Sequence, residues 1–166
     1  MENAGVTSGY VASFEPSMRL AIDLAAGTDA GSAISSDVPV GAVVLGPDEA
    51  VVGRGHNQCL ATGDPTAHAE IVAIRQAAAA LRSWRLDGCT LVATLEPCTM
   101  CAGALLNARI RRLVYGAADP RAGAAGSLWD VVRDRRLGPP VEVIGGVLAD
   151  ECAALLTSFF QRRRTE

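Results

Sequence analysis

Two short clusters of residues could do chemistry together. One is His68-Ala69-Glu70, inside DPTAHAEIVAIR (Asp64–Arg75); the other is Glu96-Pro97-Cys98-Thr99-Met100-Cys101. Each leads into an apolar run with helical character, so each falls at a helix start. Cys98 and Cys101 are three apart and share one helix face. A helix N-terminus favours thiolate, the form that binds metals. A neutral histidine and two thiolates are three ligands of the kind zinc takes. A fourth tetrahedral position left open is the catalytic arrangement rather than the structural one. His68 and Glu70, two residues apart, point about 200° apart around a helix axis. They reach one small site only if it lies off the end of the helix, with Glu70 beside the open position as proton carrier.

Blander readings exist for each motif alone. A lone Cys-x-x-Cys is often accidental, and Cys59, Cys89 and Cys152 could complete a structural four-cysteine site. His68 could be a hydrogen-bonded core histidine, and Glu70 could merely favour the helix dipole. Together these readings need both motifs to fall at helix starts by coincidence, so the catalytic site is the expectation.

The elements that must position these residues follow from the pattern. Pro16 to Ala26 reads as a first helix stopped by Gly27. Val38–Gly46 and Ala50–His56 are β-branched runs around Pro47-Asp48-Glu49, which predicts a hairpin. Asp64 reads as the N-cap of a second helix and Pro65 as its first residue. Cys89–Leu95 is a buried strand, Pro97 opens a third helix, and Arg111–Ala117 is a further strand. The glycine- and alanine-rich Ala118–Leu128 predicts a tight loop packed close to something, followed by a strand over Val141–Gly146 and a terminal helix with a basic end. The order α-β-β-α-β-α-β-loop-β-α predicts an α/β protein, a mixed five-stranded sheet with helices on both faces. Residues 1–14 read as a loose leader and 15–166 as a single domain.

Composition narrows the class. The chain has 166 residues, 49% hydrophobic and 20% charged, with no run of about 18 apolar residues that would cross a membrane. The N-terminus lacks the basic and apolar regions of a secretory signal. Five cysteines is an odd count, which suits a reduced, cytoplasmic chain with metal-binding or catalytic thiols better than a disulfide framework. The net charge is -3, and lysine is absent. Residues 1–108 hold 5 arginines against 11 acids, whereas residues 109–166 hold 10 against 7. Arg109–Arg112, Arg133–Arg136 and Arg162–Arg164 are either solvated clusters or parts of a phosphate-binding surface.

The segments DVPVGAVV, GHN, DPTAHAEI, CTLVATLEPCTMCAGAL, ARIRRLVYGAADPRAGAAGSL and GGVLADECAALLTSFF resemble the bacterial tRNA-specific adenosine deaminases, from about Pro16 to Arg164. The resemblance implies a three-layer α/β/α fold of the cytidine-deaminase type and a homodimer with one Zn2+ per subunit. The implied substrate is the wobble adenosine of a tRNA anticodon stem-loop, typically that of tRNA-Arg, converted to inosine with release of ammonia. By position it implies His68, Cys98 and Cys101 as zinc ligands and Glu70 as proton shuttle. It implies Asn57 and Ala69 against the flipped base, Asp119 near the RNA backbone, and Phe160, Arg163 and Arg164 at the stem-loop. Gln58, where a basic residue is frequent, and Ala93 depart from the commonest pattern. Two other functions use some of the same features: a free-base deaminase of guanine or cytosine, and a noncatalytic zinc-stabilised RNA-binding module.

Overall fold

Strand-forming residues of this chain alternate between two buried faces, and that alternation builds three layers. The computed structural model describes residues 9–27 and 36–164. Strands β1 (Gly41–Leu45), β2 (Val51–His56), β3 (Thr90–Leu95), β4 (Arg112–Ala117) and β5 (Glu142–Gly145) form one sheet in the order β2-β1-β3-β4-β5. β1 runs antiparallel to both β2 and β3, while β3, β4 and β5 are parallel. The helices are α1 (Glu15–Ala26), α2 (Cys59–Thr62), α3 (Ala69–Leu81), α4 (Thr99–Asn107) and α5 (Ala149–Arg163). Ala42, Val44, Leu91, Ala93 and Leu113 pack with Ala69, Ala73 and Ala77 of α3 and with Ala102 and Leu105 of α4. Their neighbours in sequence, Val43, Leu45, Val92 and Val114, pack on the opposite face with Met18, Ala21 and Leu24 of α1 and Cys152 of α5. The expected mixed sheet with helices on both faces is what the chain forms.

Two local expectations need correction. The second long helix does not start at Pro65: α3 begins at Ala69, and its N-cap is His68, not Asp64. Asp64 caps a turn instead, its Oδ1 accepting from the Thr66 N–H at 2.8 Å and the Thr66 hydroxyl at 2.6 Å. An Asx turn uses the same residue types as a helix cap, so sequence alone reads one as the other. Likewise α4 begins at Thr99 with Cys98 as N-cap, two residues after Pro97. A short helix, α2, lies between β2 and α3, and four residues are too few for periodicity to announce it. Of the stretch 1–14, residues 1–8 lie outside the described residues. Phe14 is buried, and the Tyr10 hydroxyl donates to Glu142 Oε1 at 2.9 Å.

Close approach of α3 to the sheet depends on two glycines of β2. A Cβ on Gly53 would stand 2.3 Å from the Ala73 carbonyl oxygen, and one on Gly55 would stand 2.2 Å from that of Ala69. The helix backbone therefore rests directly on the strand, and the helix start is held at a fixed depth. β2 is also an edge strand. The Arg54 N–H, which has no strand partner on the open side, donates to Gln76 Oε1 of α3. β5, the other edge, is only four residues long.

The parallel strands β4 and β5 are joined without a helix. Residues 118–140 form an irregular crossover in place of one. The glycine- and alanine-rich part is packed close to something, as its composition predicts. That something is the carboxylate of Glu96.

Candidate active site

Both helix starts open at the same end of the sheet, past the last residues of β3 and β4. His68 and Cys98 are the N-caps of α3 and α4, both extended, with ψ of 152° and 176°. Neither side chain caps its own helix. Each residue's carbonyl starts the helix, accepting from Val72 and Ala102. Both side chains are thereby free to project beyond the helix ends. His68 Nδ1 lies 3.7 Å from Cys98 Sγ and 3.5 Å from Cys101 Sγ. The three ligand atoms lie within 4.8 Å of one another. Zinc bonds of about 2.0–2.3 Å set at tetrahedral angles put N and S ligands about 3.5 Å apart, so the spacing fits zinc. Among the described residues this is the cluster that could hold a metal, and Cys59, Cys89 and Cys152 do not join it.

The ligand groups also perturb one another: the hydrogen bond with Cys98, with burial, holds the Cys101 thiol up. The hydrogen bond from Cys101 lowers the Cys98 thiol well below its ordinary value, against the opposing effect of burial, and His68 adds to the lowering. The contact with Cys98 raises the His68 imidazole, and the Glu70 charge supports it. Glu70 is 4% exposed, and burial pushes its carboxyl up. Burial disfavours the charged form, so the carboxylate is a stronger base than a solvated one.

A cavity of about 210 Å³ opens onto these groups. Asn57, His68, Ala69, Glu70, Cys98 and Asp119 all line it, with Val38, Val40 and Leu95 as an apolar wall. Six of the residues singled out from sequence thus share one cavity, with Cys101 in the ligand cluster at its edge. Asn57 is held by its backbone N–H donating to the Val40 carbonyl at 3.0 Å. Its Oδ1 is buried with no hydrogen-bond partner. An unpaired buried acceptor costs about 1–3 kcal/mol, and a bound N–H donor would relieve it.

Phe160, Arg163 and Arg164 lie outside the cavity, on the last turns of α5. Phe160 is 44% exposed. Arg163 stacks over the Phe159 ring at 4.8 Å and donates to the Ser36 carbonyl at 2.5 Å. That contact sets the end of α5 beside the segment leading to Val38.

Two residues that matter here stand inside the quoted motifs, but the sequence assigns them no role. Asp37, 3% exposed, accepts from the Leu60 and Ala61 N–H groups at 2.7 and 3.0 Å and so holds α2 in place beside Asn57. Glu96, 2% exposed, accepts from the N–H groups of Asp119, Ala125 and Ser127 at 3.0, 2.9 and 3.0 Å, and from the Ser127 hydroxyl. Burial pushes the Glu96 carboxyl up, but these donors outweigh it and hold it below the ordinary carboxylate range. The available hints were an acid closing a buried strand and a downstream loop too small in its side chains to pack on itself.

Residues 14–117 match the family described as the cytidine and deoxycytidylate deaminase zinc-binding region. The chain is 47% identical over 152 residues to the tRNA-specific adenosine deaminase of Haemophilus influenzae, covering 92% of this chain and 86% of that protein. Among solved structures it is similar, at TM-score 0.75 and 42% identity, to one from studies of A-to-I editing by tRNA:A34 deaminases at the wobble position of transfer RNA. That match covers 84% of this chain and 97% of the other. A guanine deaminase from Nitrosomonas europaea matches at TM-score 0.71 and 26% identity, over 87% of this chain and 83% of that one.

Proposed function

The chain belongs to the zinc-binding cytidine and deoxycytidylate deaminase family, and within it we propose that it deaminates the wobble adenosine of a tRNA anticodon to inosine, releasing ammonia. The observation that carries the reading is a buried carboxyl, Glu70, next to a three-ligand zinc cluster, at the floor of a cavity of base size. His68, Cys98 and Cys101 hold the zinc, which when bound supplies an activated water to attack the ring carbon bearing the amino group. Glu70 carries one proton of the water to the ring nitrogen, which inosine keeps, and the second to the amine, which leaves as ammonia. Asn57 hydrogen-bonds the base with its unpaired amide oxygen, and Ala69 packs beside it. The apolar wall of Val38, Val40 and Leu95 excludes bulk water from the ring.

An anticodon loop can present its base unstacked at low cost, which suits a cavity that takes a single base. Asp119 at the rim lies where a ribose or phosphate would pass. Arg163, Arg164 and Phe160 meet the stem-loop from α5, and the typical substrate is tRNA-Arg. The catalytic unit is the single domain 15–166, acting in the cytoplasm. Its five cysteines are all unpaired, and among the described residues no helix is long and apolar enough to cross a membrane. The working form is a homodimer, and the exposed Trp84 and Leu137, flanking the outer face of α4 at Gly103 and Leu106, are surface a second copy would cover.

The guanine deaminase likeness names the competing substrate. Incubating the purified protein with an adenosine-34 tRNA, free guanine and free cytosine, and scoring inosine and ammonia, separates the two. Inosine in tRNA is the expected result; action on a free base with none on tRNA overturns the reading.

A further inference from the structure

Glu96 carries a buried negative charge immediately before the zinc-ligand turn, and the reaction described above does not use it. Its two oxygens are fully engaged by the three N–H groups and the Ser127 hydroxyl, so it is neither a spare ligand nor a spare proton carrier. All four donors come from one loop, 119–127. That loop is built to close on the carboxylate. A Cβ on Gly123 would stand 2.5 Å from Glu96 Cδ, so only glycine lets the backbone come this near. The Ala124 N–H donates to the Pro97 carbonyl at 2.8 Å, and Gly123 bridges to Cys98. The Leu128 and Trp129 N–H groups both return to the Gly123 carbonyl, closing the loop on itself. Asp119 and Ala122, from this loop, form a wall of the cavity.

We propose that Glu96 is a positioning residue for the nucleic-acid substrate. Its carboxylate ties loop 119–127 to the metal-ligand turn and so sets the distance between the reacting centre and the cavity wall past which the ribose-phosphate of the target nucleotide runs. This rests on the tRNA deaminase reading for its substrate. The loop has no strand or helix ladder of its own beyond an Ala125–Asp130 bridge. The Glu96 charge takes the place of that ladder by collecting backbone dipoles, each charge-assisted bond being stronger than a neutral one.

The test uses the full zinc-loaded protein. Glu96→Gln keeps the side chain's shape but turns an NH2 group toward N–H donors. It should retain zinc. Its KM for an adenosine-34 stem-loop should rise about tenfold or more, the scale of lost charged hydrogen bonds, while kcat changes by no more than about threefold. Amide hydrogen exchange should accelerate at Ala125 and Ser127 and stay unchanged in β3. Combining it with Asp119→Ala should raise KM no further than the worse single variant, because both act through one wall. Ser127→Ala, which removes a single donor, should move KM and loop exchange the same way by less, and it serves if Glu96→Gln does not fold. Additive KM effects, loss of zinc in step with activity, or loop amides as protected as in the parent protein overturn the proposal. A parent protein inactive on the stem-loop would refute the substrate reading instead, and the exchange and zinc measurements would still decide the role of Glu96.

Discussion

Gly55→Ala places one methyl group between β2 and α3. Its Cβ would meet the Ala69 carbonyl oxygen at 2.2 Å, the Ala73 nitrogen at 2.7 Å and Val72 Cβ at 3.0 Å. None of these is the far end of a flexible side chain, so the helix start itself must retreat, by roughly 1 Å if ordinary contact is to be restored. Overpacking of this kind costs about 1–3 kcal/mol. The retreat falls on the residue between His68 and Glu70. A shift of about 1 Å at reacting groups costs on the order of 10²-fold in rate, so activity should suffer more than the fold. The assay is kcat/KM on an adenosine-34 stem-loop, with zinc content and thermal midpoint measured on the same preparation. The expected result is a folded, zinc-bearing protein with a lowered midpoint and kcat/KM down by about 10²-fold. Gly9→Ala is the control: nothing lies within 4 Å of its added Cβ, and its backbone is not in the left-handed region. Parental kcat/KM and midpoint in Gly55→Ala would refute the claim that this strand sets the depth of the catalytic helix.

Other expectations follow from the same geometry. Glu70→Gln should keep zinc and lose about 10²–10⁴-fold in kcat, measured by inosine formation beside metal analysis. Removing zinc with a chelator should lower the thermal midpoint, and zinc should restore it, because two uncapped helix starts share the three ligands. Arg164→Glu should weaken stem-loop binding and reduce the salt slope by about one. It is a cleaner probe than reversing Arg163, which also holds the Ser36 carbonyl. Burial pushes the Glu142 carboxyl up, but bonds from Arg112 at 2.7 Å and Tyr10 hold it below the ordinary range. Its stabilisation is therefore present above the unfolded carboxylate value and disappears as pH falls through the lower folded one. Both partners of the Arg112 pair are partly exposed, so Glu142→Gln should cost no more than about 1 kcal/mol at pH 7 and nothing in strong acid, read from urea midpoints against pH.

The chemistry was legible because it is written locally. His68 and Glu70 sit two apart, Cys98 and Cys101 three apart, and each pair sits against a helix that an apolar run announces. The strands were legible because Val43 and Val44, or Leu91 and Val92, must serve opposite faces. Asp64 misled for a physical reason: an Asp-Pro-Thr turn and a helix cap satisfy backbone N–H groups with the same oxygen. Asp37 and Glu96 stand inside the motifs, yet their roles were silent because most of their partners are backbone amides 23 to 31 residues away, and an amide has no side chain to leave a mark on the pattern. The terminal arginines looked alike in sequence, yet Arg163 is engaged within the chain, while the side chain of Arg164, the C-cap residue, stands exposed.

The two ends of the sheet have a bearing on how copies of this chain meet. β2 offers a neighbouring strand a row interrupted by glycine, with Arg54 pointing outward and its N–H already taken by Gln76. β5 offers four residues, beginning with a charged one. Neither edge is a template for strand addition. Strand-by-strand growth of one copy onto the next is therefore disfavoured at both ends of the sheet.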